Sequence, residues 1–170
     1  MRLKNIPDPG FAGDDGSADP KLAEALARYA HDRGAESAVL AELADARLLV
    51  PVVAVPGEVE TGPDGLRREK RSEMAVATLQ APGGRCALPA FTSVETLARW
   101  RADARPVPVR TRQAVEAAYH QKADTLVIDV AGPVTYQLTG APMRALAEGR
   151  EPVAPAEDPE VVRAVRDTVA

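Results

Sequence analysis

Two stretches of apolar residues at helical spacing follow one another near the N-terminus of the chain. The first begins after Asp19 and Pro20, residue types that favour the start of a helix, and ends at Gly34. The second predicts a helix from Glu36 to about Ala46. Their inward-facing positions are Leu22, Leu26, Tyr29, Ala30, Val39, Leu40, Leu43 and Ala44. The pattern therefore predicts an N-terminal helical hairpin.

Beyond this hairpin, short apolar runs alternate with polar turns and with further helical patterns. Residues 48–55 are continuously apolar and predict a strand buried on both faces, with Pro51 at a sheet edge or a bulge. The polar stretch 58–73 predicts a loop or an exposed hairpin. Further strands are expected at 74–80, 85–91, 107–109, 125–130 and 134–138, and further helices from Ser93, at 112–121 and at 142–148.

This order of elements predicts an α/β fold of the mixed, α+β-like kind, with a single mixed sheet of about six strands covered by helices. We expect an extended arm at 1–18, an α/β domain at 19–150, and a linker with a C-terminal helix at 151–170. The apolar stripe of that last helix consists of Val162, Val165 and Val169.

Composition narrows the class of protein. The 170 residues are 45% hydrophobic and carry a net charge of −4 and one cysteine, which indicates a globular core rather than a disordered chain or a disulfide framework. The acidic balance argues against nucleic-acid binding, which needs clustered Lys and Arg. The longest apolar run, residues 48–55, is far shorter than the roughly 20 residues of a membrane helix, and the N-terminus lacks an export signal. We therefore expect a cytoplasmic protein that does not bind membranes.

The sequence offers no complete set of catalytic residues. It contains no Gly-x-Ser-x-Gly motif and no Cys-His signature. His31 and His120 lie near predicted helix ends, where the helix dipole favours an imidazole, and Cys86 is expected to be a small buried side chain. We expect no catalytic residue, no metal and no cofactor, and we favour a binding protein while leaving enzymatic activity open.

One position is better suited to binding. Where the strand ending at Phe91 passes into the helix starting at Ser93, backbone N–H groups and two hydroxyls are available, and related sheets bind ligands at such strand ends. The alternative is that Thr92 and Glu95 only cap the helix and that Trp100 belongs to the core. The candidate binding residues are Phe91, Thr92, Ser93, Trp100, Arg105 and Arg110.

Five segments in order resemble the actinobacterial branch of the SseB family, named for enhanced serine sensitivity. They are NIPDPGFAGDDGSADPKLAEAL, ARLLVPVVAV, EMAVATL, ALPAFTSVETLARWRADARPVPV and LVIDVAGPVTYQL. The resemblance runs from about Asn5 to Gly149 and implies an SseB N-terminal-type α/β domain in the cytoplasm, with no established catalytic residue, metal or cofactor. It also implies that a second, C-terminal SseB domain is absent or reduced to one helix.

Two functions of different classes follow as hypotheses. The first is a non-enzymatic binding or adaptor domain that engages a protein partner, or a second copy of itself, through a strand edge or the groove near Phe91, Thr92, Ser93 and Arg105. The second is a regulator or enzyme linked to serine metabolism. It would bind an amino acid or another small carboxylate at the start of the helix, with Arg105 or Arg110 as counterion.

Overall fold

A computed structural model describes residues 11–55, 59–63, 65, 67–69 and 73–155, of which 59–61 and 67–69 are described by their backbone alone. The expected C-terminal helix falls within 156–170 and so lies outside these residues, as do the first ten residues of the expected arm. The helices of the described part are α1 (Pro20–His31), α2 (Glu36–Ala44), α3 (Val94–Trp100), α4 (Thr111–His120) and α5 (Gly140–Ala147), with a short 3-10 turn at Arg33–Ala35 between the first two.

The N-terminal helices form as the sequence predicts. Pro20 occupies the first turn of α1, and the side chain of Asp19 accepts a hydrogen bond from the N–H of Lys21 at 2.9 Å. The helix ends at His31, slightly before the expected glycine, because Asp32 starts the 3-10 turn by accepting from the N–H of Gly34. The apolar stripes of α1 and α2 face one main core, but Ala30 and Ala44, which the pattern predicts to face inward, are exposed.

The strands of the described residues form three sheets, not the single sheet of about six strands that the sequence predicts. The strands are β1 Arg47–Val55, β2 Val59–Thr61, β3 Arg67–Glu69, β4 Glu73–Val76, β5 Leu79–Gln80, β6 Cys86–Ala90, β7 Arg105–Arg110, β8 Thr125–Ile128 and β9 Tyr136–Thr139. One sheet is antiparallel, in the order β4–β1–β7, and a second has the order β5–β6–β8–β9, with β6 and β8 parallel. The third is the hairpin β2–β3, which lies in the stretch predicted as a loop or hairpin. The fold is thus a mixed α+β fold with two small sheets, of three and four strands, and a separate two-stranded hairpin.

Two prolines explain why the expected single sheet divides. The backbone groups of Leu49, in β1, pair with those of Phe91, just after β6, at 2.7 and 2.8 Å. The next pair along this antiparallel ladder would be Pro51 with Pro89, and neither residue has an N–H to donate. The backbone pairing between the two sheets is therefore limited to the single pair of Leu49 and Phe91. Pro51 lies in a central strand, not at the edge or bulge that the sequence predicts, and its nitrogen faces this junction.

The same junction alters the other predicted strands. The expected strand at 74–80 is divided into β4 and β5, which belong to different sheets. The division follows Ala77, whose N–H donates to the carbonyl of Pro51 at 3.0 Å. The expected strand at 107–109 is longer, because β7 pairs with β1 along its whole length. The strand expected at 134–138 is β9, which begins two residues later, at Tyr136.

The outer edge of β7 is built from prolines. Pro108 lies opposite Leu49, whose backbone groups bond on the other side of β1, so Pro106 and Pro108 face the free edge. The N–H of Arg110, on the same edge, donates to the side chain of Gln113 at 2.9 Å. None of these three positions offers a free N–H to an additional strand.

The two faces of the sheets carry separate apolar cores. The main core lies beneath α1, α2, α4 and α5, and its fully buried members include Leu22, Val39, Leu40, Leu43, Leu48, Leu88, Leu126, Ile128, Leu138 and Met143. A smaller core packs under α3 and consists of Leu49, Phe91, Leu97 and Ala104. The parallel strands β6 and β8 end beside each other, with Ala90 opposite Ile128. The candidate site lies at these two strand ends.

Candidate functional site

A buried carboxylate joins the two strand ends. Asp129 directly follows β8 and is only 4% exposed. Its Oδ1 accepts from the N–H of Thr92 at 2.8 Å and from the hydroxyl of Thr96 at 2.9 Å, and its Oδ2 accepts from the hydroxyl of Thr92 at 2.6 Å. Its φ of 56° lies in the left-handed region, which Asp and Asn adopt more readily than most side chains. The carboxylate thereby ties the end of β8 to the turn that follows β6.

Of the two residues that the sequence suggests as the cap of α3, Thr92 and Ser93, the structure selects Ser93, and its capping partner is Thr96 instead of Glu95. The hydroxyl of Ser93 accepts from the N–H of Thr96 at 3.1 Å, and the N–H of Ser93 donates back to the Thr96 hydroxyl at 3.4 Å. Thr92 does not cap the helix, because its hydroxyl and N–H are both engaged by Asp129. The two hydroxyls that suggested a ligand site are therefore both hydrogen-bonded within the protein.

Residues 11–19 form a strap that lies across the start of α3, and Arg47 holds it there. The guanidinium of Arg47 contacts Asp14 through Nε at 2.6 Å and Nη2 at 2.9 Å, and Nη2 also donates to the carbonyl of Ser17 at 2.6 Å. Nη1 donates to the carbonyl of Thr92 at 2.8 Å. The side chains of Arg47 and Asp14 are only 14% and 18% exposed. One arginine therefore links the strap to the turn that binds Asp129.

Gly16 allows the strap to approach the helix closely. Its φ is 82°, and its carbonyl accepts from the N–H of Val94 at 2.8 Å. A Cβ at this position would lie 2.8 Å from Cγ1 of Val94, closer than real Cβ atoms approach. The strap therefore requires glycine here both for its backbone conformation and for its packing.

A cleft of about 360 Å³ opens above this network, between α1, the strap and α3. Its walls are mostly apolar, its floor is the hydrogen-bonded network, and one ion pair, Arg99 with Glu95 at 2.7 Å, stands at its rim. The lining residues are Ala18, Ala23, Leu26, Ala27, Thr92, Ser93, Glu95, Thr96, Arg99, Asp129, Pro133 and Val134. Its volume falls in the range of protein ligand sites.

The structure brings together some of the predicted binding residues and separates others. Thr92 and Ser93 line the cleft. Phe91 is fully buried in the smaller core, and Trp100 packs against it with ring centroids 5.5 Å apart, as the alternative interpretation holds. Phe91 and Trp100 therefore support the cleft floor from below instead of lining it.

The two predicted counterions lie outside the cleft. Arg105 and Arg110 occupy opposite ends of β7, and both are exposed. The guanidinium of Arg110 sits over the ring of Phe11, 5.9 Å from its centroid. The cation that does line the cleft is Arg99.

The residues that organise the site, Asp129, Thr96 and Arg47, are not among those predicted from the sequence. Asp129 carried a usable signal, since a lone acid between a buried strand and a Gly-Pro turn sits at the strand end where such sheets form sites. Arg47 and Thr96 carried none, because the partners of Arg47 are 30 residues or more away in the sequence and Asp129 lies 33 residues after Thr96.

A larger hollow of about 610 Å³ lies under the strap, and three of the aspartates that line it have partners within the protein. Asp14 binds Arg47, and Asp19 caps α1. Asp15 accepts from the hydroxyl of Ser17 at 2.6 Å and from its N–H at 2.9 Å, and these bonds hold the pKa of Asp15 below its usual value. These carboxylates shape the turns of the strap.

Other chemistry-bearing side chains are placed as the sequence suggests. His31 and His120 are exposed at the C-terminal ends of α1 and α4, and Cys86 is half-buried against the main core. Within the described ranges, no group of three or more His, Cys, Asp or Glu side chains is arranged to hold a metal ion. None of the helices in those ranges has the length and apolar character to span a membrane.

Comparisons with known proteins identify the domain type. A family model described as the SseB protein N-terminal domain matches residues 22–145, which is well over half of the chain. The match covers α1 through most of α5 and includes the whole cleft except Ala18. No curated protein and no solved structure was found to match.

Proposed function

The chain belongs to the SseB family, and we propose that it is a non-enzymatic binding domain whose cleft at the ends of β6 and β8 receives a segment of a partner protein. In this proposal the domain spans 19–150, the arm at 1–18 contributes Ala18 to the lining of the cleft, and 151–170 form a linker and helix. It would act in the cytoplasm, where a single cysteine remains reduced.

The observation that carries the proposal is the construction of the cleft. Apolar side chains from α1 and from the turn after β8, among them Leu26 and Val134, surround a floor whose polar groups are hydrogen-bonded to one another. Such a floor is already ordered before a partner arrives, so little conformational entropy is lost on binding. Apolar walls with a few fixed polar groups are typical of recognition sites.

The second hypothesis, a small carboxylate ligand, has weaker support from the geometry. The hydroxyls of Thr92 and Ser93 are engaged within the protein, and the buried carboxylate of Asp129 would repel an anion. Arg105 and Arg110 do not line the cleft. Addition of another copy or partner along the outer edge of β7 is also disfavoured, since its central positions are prolines.

A cleft-filling substitution with a matched control tests the proposal. Peptides are first selected from a displayed random library on the immobilised domain, and their affinities are then measured for Ala27→Trp and Ala30→Trp. Both alanines are exposed on α1, but only Ala27 lines the cleft. We expect at least a tenfold loss of affinity for Ala27→Trp and no loss for Ala30→Trp.

Equal effects of the two substitutions, or a library that yields no binder, would overturn the proposal. Thermal shifts with amino acids and keto acids are measured in parallel. A carboxylate present at 100 times its dissociation constant would raise the stability by about 2.7 kcal/mol. Such a shift, abolished by Ala27→Trp, would favour the small-ligand hypothesis instead.

A further inference from the structure

The ionisable side chains that line the cleft do not balance in charge. They are Asp129, Glu95 and Arg99. Arg99 pairs with Glu95 at the rim, where their side chains are 52% and 72% exposed, and this leaves Asp129 as the remaining charge. Among the described residues, the donors to Asp129 are a backbone N–H and two hydroxyls, all of which are neutral. The cleft thus carries a net negative charge at its floor.

The carboxylate also has unused accepting capacity. An ionised carboxylate offers about four lone-pair positions, and the contacts of Asp129 with Thr92 and Thr96 occupy three. Oδ1 accepts twice, whereas Oδ2 accepts once, from the Thr92 hydroxyl. One more donor can therefore be accommodated at Oδ2, and a charged donor forms the stronger bond.

The walls above this carboxylate suit an aliphatic stem. Ala23 and Leu26 of α1 face Pro133 and Val134 of the turn after β8. Lysine and arginine side chains place their methylene groups along such apolar surfaces while their charged ends reach a polar group. A shorter or anionic side chain would leave the floor unpaired or would meet like charge.

From this charge and shape we propose that the cleft binds a lysine or arginine side chain of the partner, with its stem between α1 and the turn after β8 and its cationic end at Asp129. The proposal rests on the binding function proposed above and names the residue type that is recognised. Asp129 is then both the residue that ties the strand ends together and the determinant of specificity.

The test uses the peptides selected on the domain whose binding is lost in Ala27→Trp. We expect them to share a Lys or Arg, and we compare one lysine peptide with versions carrying norleucine, which keeps the stem without the charge, and glutamate. Norleucine should weaken binding to the wild-type domain at least tenfold, and glutamate should weaken it further. A norleucine peptide that binds as tightly as the lysine peptide would overturn the inference.

A second comparison shows whether Asp129 is the recognising group. Asp129→Asn should remove the preference for lysine over norleucine, whereas Asp45→Asn, which removes the same charge from an exposed position outside the cleft, should preserve it. A preference unchanged in Asp129→Asn would refute the assignment. If peptides bind in the cleft but their affinity does not depend on charge, only the proposed recognition of Lys or Arg is refuted. If no peptide is sensitive to Ala27→Trp, the proposed binding function of the cleft is refuted as well.

Discussion

Replacing Asp129 by alanine removes the two acceptor oxygens of three buried hydrogen bonds in one step. The hydroxyl of Thr96 can turn to the carbonyl of Ser93, 3.0 Å away, but the N–H and hydroxyl of Thr92 lose their acceptor. Each stranded donor costs about 1–3 kcal/mol. Alanine also adopts the left-handed backbone at a cost of about 1 kcal/mol. We expect Asp129→Ala to lower the free energy of unfolding by about 5 kcal/mol.

Asparagine at the same position should be far less harmful. Its side-chain oxygen can replace Oδ1 as the acceptor from Thr92 and Thr96, and its amide can donate to the Thr92 hydroxyl, which reverses its role. Asparagine also tolerates the left-handed conformation. We expect Asp129→Asn to cost about 1 kcal/mol or less, a value consistent with its use in the binding experiment above.

Denaturation by guanidinium, followed by circular dichroism, measures both variants. The slopes of the transitions should match that of the wild type, so that the midpoints report stability alone. Should the alanine variant not fold, Thr92→Val provides a milder test, since it removes only the hydroxyl bonded to Oδ2 and should cost about 1–2 kcal/mol. An alanine variant within about 1 kcal/mol of the wild type, or an asparagine variant as unstable as alanine, would refute the reasoning.

Two further predictions concern the strap and a buried tyrosine. Gly16→Ala should destabilise the strap by about 1–2 kcal/mol and so raise the hydrogen-exchange rate of the Val94 N–H about tenfold. Gly13→Ala is the control, since the space around Gly13 is open and the rate should not change. Equal exchange rates in the two variants would contradict this prediction. Burial, and then the hydrogen bond to Glu36, raise the pKa of Tyr136 well above its ordinary value of 10.0. The folded state therefore keeps a proton that the unfolded chain loses above pH 10, so stability is full below pH 10 and falls above it. Denaturation series from pH 9 to about 11.5 should show a fall of up to about 1.4 kcal/mol per pH unit in the wild type that is missing from Tyr136→Phe, and identical slopes would count against it.

The helices could be predicted from the sequence because their signals are local. Apolar stripes and the cap at Asp19 lie within one or two turns of the residues they organise, and α1, α2, α4 and α5 appear close to the predicted positions. The strand positions were also largely correct, since each run of apolar residues is bounded by turns. Prediction at this level needs no knowledge of distant contacts.

Sheet pairing depended on contacts that the sequence does not display. Pro51 and Pro89 are 38 positions apart, and each alone indicates an edge or a bulge. Only when Leu49 pairs with Phe91 do the two prolines fall opposite each other and end the ladder. The division into two sheets follows from that register.

The sequence indicated the strand end at which the cleft lies, but not the hydrogen bonds that organise it. Thr92 and Ser93 were correctly placed at a strand end, yet their hydroxyls serve the fold. The arginines chosen as counterions, Arg105 and Arg110, do not line the cleft, whereas Arg99, about one helical turn after Thr96, does. Glu95 and Arg99 are four residues apart, a spacing typical of ion pairs on a solvent-exposed helix face, so the sequence alone does not indicate Arg99 as a binding residue.

The prolines on the outer side of β7 have a consequence for how molecules of this protein behave in concentrated solution. Growth of fibrils by edge-to-edge stacking requires a continuous row of donors and acceptors, and this border supplies acceptors alone at Pro106 and Pro108. Replacing both prolines by residues that have a backbone N–H would give this edge the donors that an added strand needs. The two prolines thus keep this border from serving as a template for such a strand.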